Sequence, residues 1–363
     1  MDEEKLIEEI RKSPYKFICD FAENLYPFVG KDAFEILSLV IVSMFIKDIQ
    51  YMSKRIRANM NCMFLTPSGG GKSSICSLFA LFCFNPIEVK SITPAELEDR
   101  CFREEEFSLI VEDYATMSTD ERVNKIIEGV IGEEKIIDRH TKQKDLRKHI
   151  NAIGLLAGVP SDLSNKLTSG TIFRMIPLVI MLNDDEHSET GNHISKNIGI
   201  SGDFDVRENI IKEYYNTLYR IQNEEREMKE SGFCKINGFI MTNEIRDTLR
   251  TEWERLTRFY RKNAPYNFFR ELWDGYRMLF AHCFLNYFNR ERKGDCLVVT
   301  KDDLEVALFL MKKTMGIKYE LLMSERLIKG IKNLRDLEVF MKSKNIPHRV
   351  KGLIHSQIIR NIK

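Results

Sequence analysis

Residues 66–74 read Thr-Pro-Ser-Gly-Gly-Gly-Lys-Ser-Ser, and they connect two segments of different character. The apolar run 61–65 precedes them, and a helical pattern at residues 75–82 follows. A strand, a glycine turn and a helix N-terminus together place several backbone N–H groups and the positive end of a helix dipole around one anion. Lys72 can then reach the β- and γ-phosphates of a nucleotide, and the Ser73 hydroxyl can ligate Mg²⁺.

The loop matches the pattern G-x-x-x-x-G-K-S except at its first position, where Thr66 stands in place of glycine. A flexible glycine turn between a strand and a helix is the alternative interpretation. Three consecutive glycines followed by Lys72 and Ser73, in this flanking structure, favour phosphate binding. We therefore expect ATP and Mg²⁺ as cofactors. The expected nucleotide-binding residues are Ser68, Gly69, Gly70, Gly71, Lys72, Ser73 and Ser74.

A second motif follows about forty residues after the loop, where the apolar residues 107–111 end in Glu112 and Asp113. An apolar strand that ends in adjacent carboxylates is typical of the metal-coordinating strand of P-loop enzymes. The usual order is Asp before Glu, and here it is reversed. By position we expect Glu112 to hold Mg²⁺ together with Ser73, and Asp113 to act as the base that polarises the attacking water. The alternative is an acidic pair that merely ends a strand in solvent.

The composition indicates a globular protein and excludes several classes of function. Of 363 residues, 43% are hydrophobic and 30% charged, and the net charge of +1 predicts no general attraction to nucleic acid. Eight cysteines without a C-x-x-C pair favour free thiols in a reducing compartment over disulfides or a zinc site. The N-terminus is acidic and mixed, unlike a signal peptide, and the longest apolar stretch is too short to span a bilayer. We therefore expect a cytoplasmic protein with no membrane partner.

Short apolar runs predict the buried parallel strands of an α/β sheet. These runs lie at residues 61–65, 107–111, 150–157 and 175–182. Amphipathic helices are predicted at 3–13 and 32–57, and helices again throughout 205–324. The polar, glycine-bearing residues 184–204 predict a connection at a domain boundary. The last stretch, 326–363, holds ten Lys/Arg against two acids.

With its loop and its acidic pair, the chain resembles the AAA+ ATPases, and most of all the ATPase half of the MCM replicative helicases. Segment 167–185 is similar to the MCM stretch in which an arginine finger precedes a strand, which implies that Arg174 reaches the γ-phosphate held by a neighbouring subunit. Segment 267–282 resembles the MCM sensor-2 helix, which implies that Arg270 is sensor 2 and Arg277 the second arginine of that helix. The alternative for Arg174 is an ordinary surface arginine beside a strand. The alternative for Arg270 is a solvated charge on a helix.

Residues 134–150 have two β-prone arms around a polar tip, which predicts a hairpin. At this place MCM-like proteins carry the pre-sensor hairpin that grips DNA in the pore of the ring. Residues 135–149 hold six Lys/Arg against two Asp, so the resemblance implies salt-dependent contacts with phosphates rather than bases. The expected DNA-contacting residues are Lys142, Lys144 and Arg147. A solvated edge hairpin protected by its charge is the alternative.

Two features depart from the MCM pattern. Val159 stands where MCM proteins have the sensor-1 asparagine, so the polar contact with the γ-phosphate or its water is missing. The interval between the helix after the loop and the acidic strand leaves little room for the insertion in helix 2 that MCM proteins also use on DNA. The expected relative is therefore pared-down, of viral or mobile-element origin.

The expected fold is α/β: an AAA+ P-loop αβα core with a parallel sheet, then an all-helical lid and a short basic C-terminal segment. The expected boundaries are 1–58 for N-terminal helices, 59–183 for the core, 184–324 for the lid and 325–363 for the basic segment. The expected function is ATP hydrolysis by a ring of identical subunits, with a hexamer as the expected ring, acting on DNA as a helicase or translocase. A MoxR-like protein-remodelling ATPase and an ATP-gated assembly scaffold with weak hydrolysis are the alternatives.

Overall fold

The structure is a computed structural model, and it describes residues 3–46, 48–51, 54–89, 93–117, 119–132, 135–140, 145–159, 174–197, 203–261 and 269–330, with the single positions 341, 342, 351 and 354. None of the helices in these ranges combines the length and the apolar character that a bilayer crossing requires.

The N-terminal segment consists of helices followed by a hairpin: α1 (Glu3–Lys12), α2 (Pro14–Leu25), α3 (Gly30–Ser43), β1 (Asp48–Tyr51) and β2 (Lys54–Arg57). The helix predicted at residues 32–57 is therefore too long, because the chain leaves the helix at Ser43 and forms an antiparallel hairpin. The Ser43 hydroxyl donates to the Val40 carbonyl at 2.6 Å and accepts the Met60 N–H at 2.9 Å. A serine that bonds the backbone in this way competes with continuation of the helix.

The central segment alternates strands and helices: β3 (Cys62–Leu65), α4 (Lys72–Phe82), β4 (Pro86–Glu88), α5 (Pro94–Arg103), β5 (Glu106–Val111), α6 (Tyr114–Met117), α7 (Glu121–Ile131), β6 (Ile136–His140), β7 (Asp145–His149), β8 (Asn151–Gly158) and β9 (Ile176–Val179). Five of these strands form a parallel sheet in the order β4–β5–β8–β3–β9, which confirms the predicted α/β class. Because β8 lies between β3 and β5, the strand before the glycine loop and the strand before the acidic pair are not neighbours.

Strands β6 and β7 form the predicted hairpin, with Ile136 opposite His149 and His140 opposite Asp145. The two helix layers lie on either side of the parallel sheet. In β3, Cys62 and Phe64 join the cluster that contains α3 and α4, whereas Met63 joins the cluster that contains α5 and α7. Burial on both faces is typical of a parallel sheet whose crossover helices cover it. The core is thus a three-layer αβα arrangement.

The C-terminal segment is mainly helical: α8 (Asp184–Asn197), α9 (Asp203–Gln222), α10 (Arg226–Glu230), β10 (Gly238–Ile240), α11 (Asn243–Arg261), α12 (Phe269–Leu285), β11 (Arg292–Lys293), β12 (Cys296–Val298) and α13 (Lys301–Gly330). The expectation of an all-helical lid is wrong in one respect, because β10, β12 and β11 form a small sheet. Each strand has only two or three residues, so none gives a recognisable alternation. Strand β10 also pairs with β12 across a long interval of chain, which local patterns do not reveal.

The segment predicted as a connection, residues 184–204, begins instead with helix α8. Its N-terminus is a reciprocal cap, in which the Asn183 side chain accepts the Glu186 N–H and the Glu186 carboxylate accepts the Asn183 N–H, each at 2.9 Å. No residue of α8 is buried, so the helix has no apolar face to show a helical period.

The N-terminal and C-terminal helices lie on the same face of the sheet and share one hydrophobic core. Fully buried members of this core are Phe34 of α3, Phe79 of α4, Leu218 of α9, Leu279 of α12 and Leu310 of α13. Helix α13 also continues through the boundary expected at 324/325 as far as Gly330. Elements from all three segments therefore pack around the sheet that carries the glycine loop.

Candidate functional site

The glycine loop between β3 and α4 needs its glycines for two physical reasons. Gly69 and Gly71 have φ angles of +84° and +80°, in the left-handed region where a side chain is strained. Gly70 has an ordinary φ, but a Cβ atom there would lie 2.1 Å from the Thr66 hydroxyl oxygen. The conformation of the loop therefore favours glycine at all three positions.

Thr66, which departs from the expected glycine, is an integral part of the loop. It is 1% exposed, and its hydroxyl donates to the Gly70 carbonyl at 3.2 Å. Its N–H donates to the Gly158 carbonyl at 3.2 Å, which extends the pairing of β3 with β8 beyond the last strand residue. The threonine therefore connects the loop both to its own Gly70 and to strand β8 instead of disrupting it.

Helix α4 begins at Lys72 and points its N-terminus into the loop. Its first intrahelical donor is the Ile75 N–H, bonded to the Gly71 carbonyl at 3.0 Å. The N–H groups of Lys72, Ser73 and Ser74 come before it, and such groups at a helix start are the usual donors to a bound anion. Among the described residues, none forms an ion pair or hydrogen bond with the Lys72 side chain, which is half-buried.

The loop and the acidic pair are in direct contact, because the Ser73 hydroxyl donates a hydrogen bond to Glu112 Oε1. Strands β3 and β5 stand two positions apart in the sheet, about 9–10 Å at the usual spacing. The two side chains bridge this interval in front of the carboxyl end of β8. Two predicted metal-binding residues, distant in sequence, thus meet at the carboxyl end of the sheet.

This pair of oxygen donors fits Mg²⁺. Magnesium prefers hard oxygen ligands, and it is commonly held by one or two protein groups together with phosphate oxygens and water. No cluster of three or more His, Cys, Asp or Glu side chains suited to a metal occurs within the described part of the chain. Ser73 and Glu112 would therefore hold the ion only in company with the phosphates of a nucleotide.

Asp113 lies beside this contact but is differently engaged. Its carboxylate accepts the Thr116 hydroxyl at 2.8 Å and the Thr116 N–H at 3.4 Å. It therefore caps the short helix α6, while Glu112 faces the loop. Asp113 is exposed, so its carboxylate could leave the cap and turn toward a water molecule at the loop.

Arg174 lies far from this site in its own chain. It comes two residues before β9, whose Ile176 pairs with Cys62 at the amino end of β3. The glycine loop is at the carboxyl end of β3, so at least the length of the strand, about 13 Å, separates them. Arg174 is exposed, and it lies at the amino end of the sheet, opposite the end that carries the loop.

Arg270 is half-buried in the first turn of α12. Arg277, two turns further along the same helix, donates to the Arg57 carbonyl at 3.0 Å and pairs with Asp274 at 2.9 Å. Arg57 ends β2, close before β3, so Arg277 lies near the amino end of the sheet rather than at the loop.

The hairpin β6–β7 has fewer available cations than its sequence indicates. Two of its six basic residues are used to seat it on the core: Lys135 is 2% exposed, and Lys148 donates to the Phe102 and Arg103 carbonyls at 2.7 and 3.1 Å. Arg147 is exposed on β7. Lys142 and Lys144, the expected residues of the tip, lie outside the described residues.

Three polar residues, one beside the acidic pair and two at the far end of β3, are not apparent from sequence motifs. Thr116 engages Asp113, and Asn61 and Lys135 bond each other at the opposite end of β3. Asn61 could have been noticed as a polar residue at the start of a buried strand. Lys135 is indistinguishable in sequence from the other lysines of the hairpin, because its burial depends on the fold.

Comparison of the chain with models of known protein families gave no match, and comparison with the curated proteins gave none either. Fold and site together define an α/β protein. The carboxyl end of its parallel sheet carries a glycine loop, a helix N-terminus and an acidic pair.

Proposed function

We propose that the chain is an ATP-hydrolysing AAA+ protein that forms a ring and acts on DNA. The observation that carries the proposal is the hydrogen bond from Ser73 to Glu112, because it unites the phosphate loop with the acidic strand across the sheet. Gly69 and Gly71, whose positive φ angles glycine adopts without strain, and the N-terminus of α4 add an anion site to that contact. A glycine turn that binds no ligand would not require these features in combination.

The residues take distinct roles in this proposal. The N–H groups at the start of α4 and the Lys72 ammonium bind the phosphates, and Ser73 and Glu112 would hold the magnesium ion. When bound, Mg²⁺ neutralises charge on the β- and γ-phosphates. Asp113 accepts a proton from the attacking water, for which its carboxylate has to leave Thr116.

The ring arrangement is supported by the position of Arg174. An exposed arginine at the amino end of the sheet cannot reach the loop at the carboxyl end of its own sheet, but it can meet the loop of a neighbour in a head-to-tail ring. Such an arginine would spread the charge of the transition state. Action on DNA is supported by the exposed Arg147 on the hairpin and by the resemblance to MCM proteins.

A second function is that of an assembly scaffold that ATP controls and that hydrolyses ATP slowly. Two observations at the carboxyl end of the sheet favour it. The apolar Val159 follows β8, between the loop and the acidic pair in strand order, where a polar side chain would be expected to orient water. Asp113 is engaged as a helix cap instead of facing the loop. Both features would slow hydrolysis without weakening nucleotide binding.

The test measures ATP turnover with and without single- and double-stranded DNA, together with the mass in solution with ATPγS, ADP and no nucleotide. The proposal predicts assembly with nucleotide and turnover that DNA stimulates. Nucleotide-dependent assembly with no turnover under any condition would support the scaffold. Neither assembly nor turnover, with no nucleotide bound, would contradict both functions.

A further inference from the structure

Lys135 is unusual among the lysines that the structure describes, because it is buried at 2% exposure and its side chain bonds neutral groups. Its amine donates to Asn61 Oδ1 at 3.1 Å and to the Val130 carbonyl at the end of α7. Among the described residues it forms no ion pair with a carboxylate. Its φ of +49° is in the left-handed region, which disfavours a residue with a side chain. A buried amine in a strained backbone indicates a position that the fold specifies strongly.

Lys135 closes the base of the hairpin. Its carbonyl accepts the Ile150 N–H at 2.8 Å, one step beyond the pair formed by Ile136 and His149. Helix α7 packs so closely against this base that a Cβ at Gly129 would lie 2.4 Å from the Ile136 carbonyl oxygen. Movement of the hairpin as a unit would therefore move the backbone of Lys135 with it.

Asn61, the partner of Lys135, immediately precedes β3, the strand that leads into the phosphate loop. Its side-chain oxygen also accepts the Gly154 N–H of β8 at 2.9 Å, and its carbonyl accepts the Ile176 N–H of β9 at 2.8 Å. The residue is 5% exposed. Asn61 is thus fixed to both neighbours of β3 and to the base of the hairpin.

Strand β3 connects Asn61 directly to the loop. Only the four residues of β3 lie between Asn61 and Thr66, a distance of about 16 Å at the rise of an extended strand. The strand is paired on both sides and buried along its whole length, so it transmits a shift along its axis better than a surface loop would. Thr66 in turn bonds Gly70 inside the loop.

We propose that Lys135 is a positioning residue that couples the hairpin to the phosphate loop through Asn61 and β3. The inference rests on the proposed nucleotide binding and deepens it, because it assigns a route by which the loop and the hairpin respond to each other. Occupation of the loop would shift β3 and Asn61 and thereby the base of the hairpin. If the nucleotide changes the affinity of the hairpin for a ligand by some factor, reciprocity of binding free energies requires that this ligand change the affinity for the nucleotide by the same factor.

The chain offers a matched control in Lys148. Both lysines seat the hairpin, but Lys148 binds carbonyls at the C-terminus of α5 and has no contact with β3 among the described residues. Lys135→Met keeps the length and apolar volume of the side chain while removing its contact with Asn61. Lys148→Met removes the hydrogen bonds from the hairpin to α5 and leaves the contact between Lys135 and Asn61 intact.

The experiment follows backbone hydrogen exchange in the loop, residues 66–74, and in the hairpin, residues 136–149, with and without Mg²⁺ and ATPγS. We expect the nucleotide to slow exchange in the loop of all three proteins. In the wild type and in Lys148→Met, we expect it also to change exchange in the hairpin by about threefold or more. In Lys135→Met, the hairpin should no longer respond.

Two outcomes would overturn the inference: a hairpin that responds in Lys135→Met as in the wild type, or a wild-type hairpin that does not respond while the loop is protected. Absence of protection in the loop of every protein would instead contradict nucleotide binding itself, and the inference with it. Should Lys135→Met fail to fold, Lys135→Gln replaces it, since glutamine is too short to hold both acceptors but retains a donor. A thermal melt of each variant distinguishes loss of coupling from loss of structure.

Discussion

Two buried lysines show how neighbours decide the charge of a side chain. Lys318 is 1% exposed and lies 2.8 Å from Glu271 and 3.4 Å from Asp274. Burial alone would lower its pKa, but the two carboxylates outweigh burial and raise it. Lys135 has no such partner in the described part of the chain, and burial, with Arg277 and Arg57 nearby, lowers its pKa well below the ordinary value. Lys318 is therefore charged at neutral pH, and Lys135 is much easier to deprotonate.

The lowered pKa of Lys135 predicts a pH dependence of stability. Between the pKa of the folded state and the ordinary value of 10.5, the unfolded chain binds one proton more than the folded chain. The free energy of unfolding should therefore rise with pH in this window, by about 1.4 kcal/mol per pH unit. Below the folded pKa both states are protonated, and the contribution no longer changes.

Lys135→Met should lack this slope, which urea unfolding at several pH values would measure as a difference between wild type and variant. Lys125→Met provides a control, since that exposed lysine forms a surface ion pair with Glu121. A difference between wild type and Lys135→Met that stays constant with pH would mean that Lys135 titrates normally in the folded protein.

The reversed acidic pair separates two roles that substitutions can test. Asp113→Asn should leave ATP binding intact and suppress hydrolysis, because it removes a base and not the phosphate cradle. Glu112→Gln should weaken the dependence of binding on Mg²⁺, because Glu112 contacts Ser73. ATP titrations at varied Mg²⁺ and turnover rates measure the two effects. Loss of turnover in Glu112→Gln with unchanged metal dependence would show that the roles are reversed.

Among the elements, the hairpin β6–β7 should carry the DNA contact if the protein acts on DNA. Replacing Lys142, Lys144 and Arg147 by alanine should weaken binding of all DNA sequences alike. For each phosphate that the variant no longer neutralises, the log–log salt dependence of the affinity should flatten by about one unit. Salt titrations of DNA binding measure this. ATP binding in the absence of DNA should be unchanged, because the three substitutions leave the contact between Lys135 and Asn61 intact.

The basic residues beyond α13 are the competing source of DNA affinity. A suitable comparison is a chain that ends after Gly330, because α13 continues to that residue and an earlier cut would shorten the helix. If this truncation eliminates DNA binding while the hairpin variant binds normally, the role assigned to the hairpin is wrong.

The sequence predicts elements well where the pattern is local. The glycine loop, the strand before it, the acidic strand and the hairpin are all found where expected, because glycine turns and short apolar runs leave clear signals. Helix α8 is not predictable in this way because it buries no residue. The end of α3 is not predictable either, because it depends on the Ser43 hydroxyl bonding to Met60. The pairing of β10 with β12 and the burial of Lys135 depend on contacts between distant parts of the chain.

In the whole molecule, the proposed functions are divided between the two ends of one sheet. The loop and the acidic pair lie at the carboxyl end, whereas Arg174 and the base of the hairpin lie at the amino end. A ring that places the amino end of one subunit against the carboxyl end of the next would complete each site from two chains.

Mixing two inactive variants tests this arrangement. Arg174→Ala lacks the arginine finger, and Lys72→Ala lacks the cation that binds the phosphates. A mixed ring therefore contains some interfaces with an intact loop and an intact arginine. We expect partial recovery of ATP turnover in the mixture relative to either variant alone. No recovery in mixtures that are shown to co-assemble would contradict a site shared between subunits.

The central claim is that residues 66–74 bind the phosphates of ATP. Its most direct test is a calorimetric titration of Mg²⁺ and ATPγS into the wild type, Lys72→Ala and the exposed-lysine control Lys125→Ala, with folding checked by a thermal melt. We predict that the wild type and the control bind alike, and that Lys72→Ala loses affinity by at least about a hundredfold, near 2.7 kcal/mol, because charge-assisted contacts to phosphate are strong. A folded Lys72→Ala that binds ATPγS as the wild type does would contradict the claim.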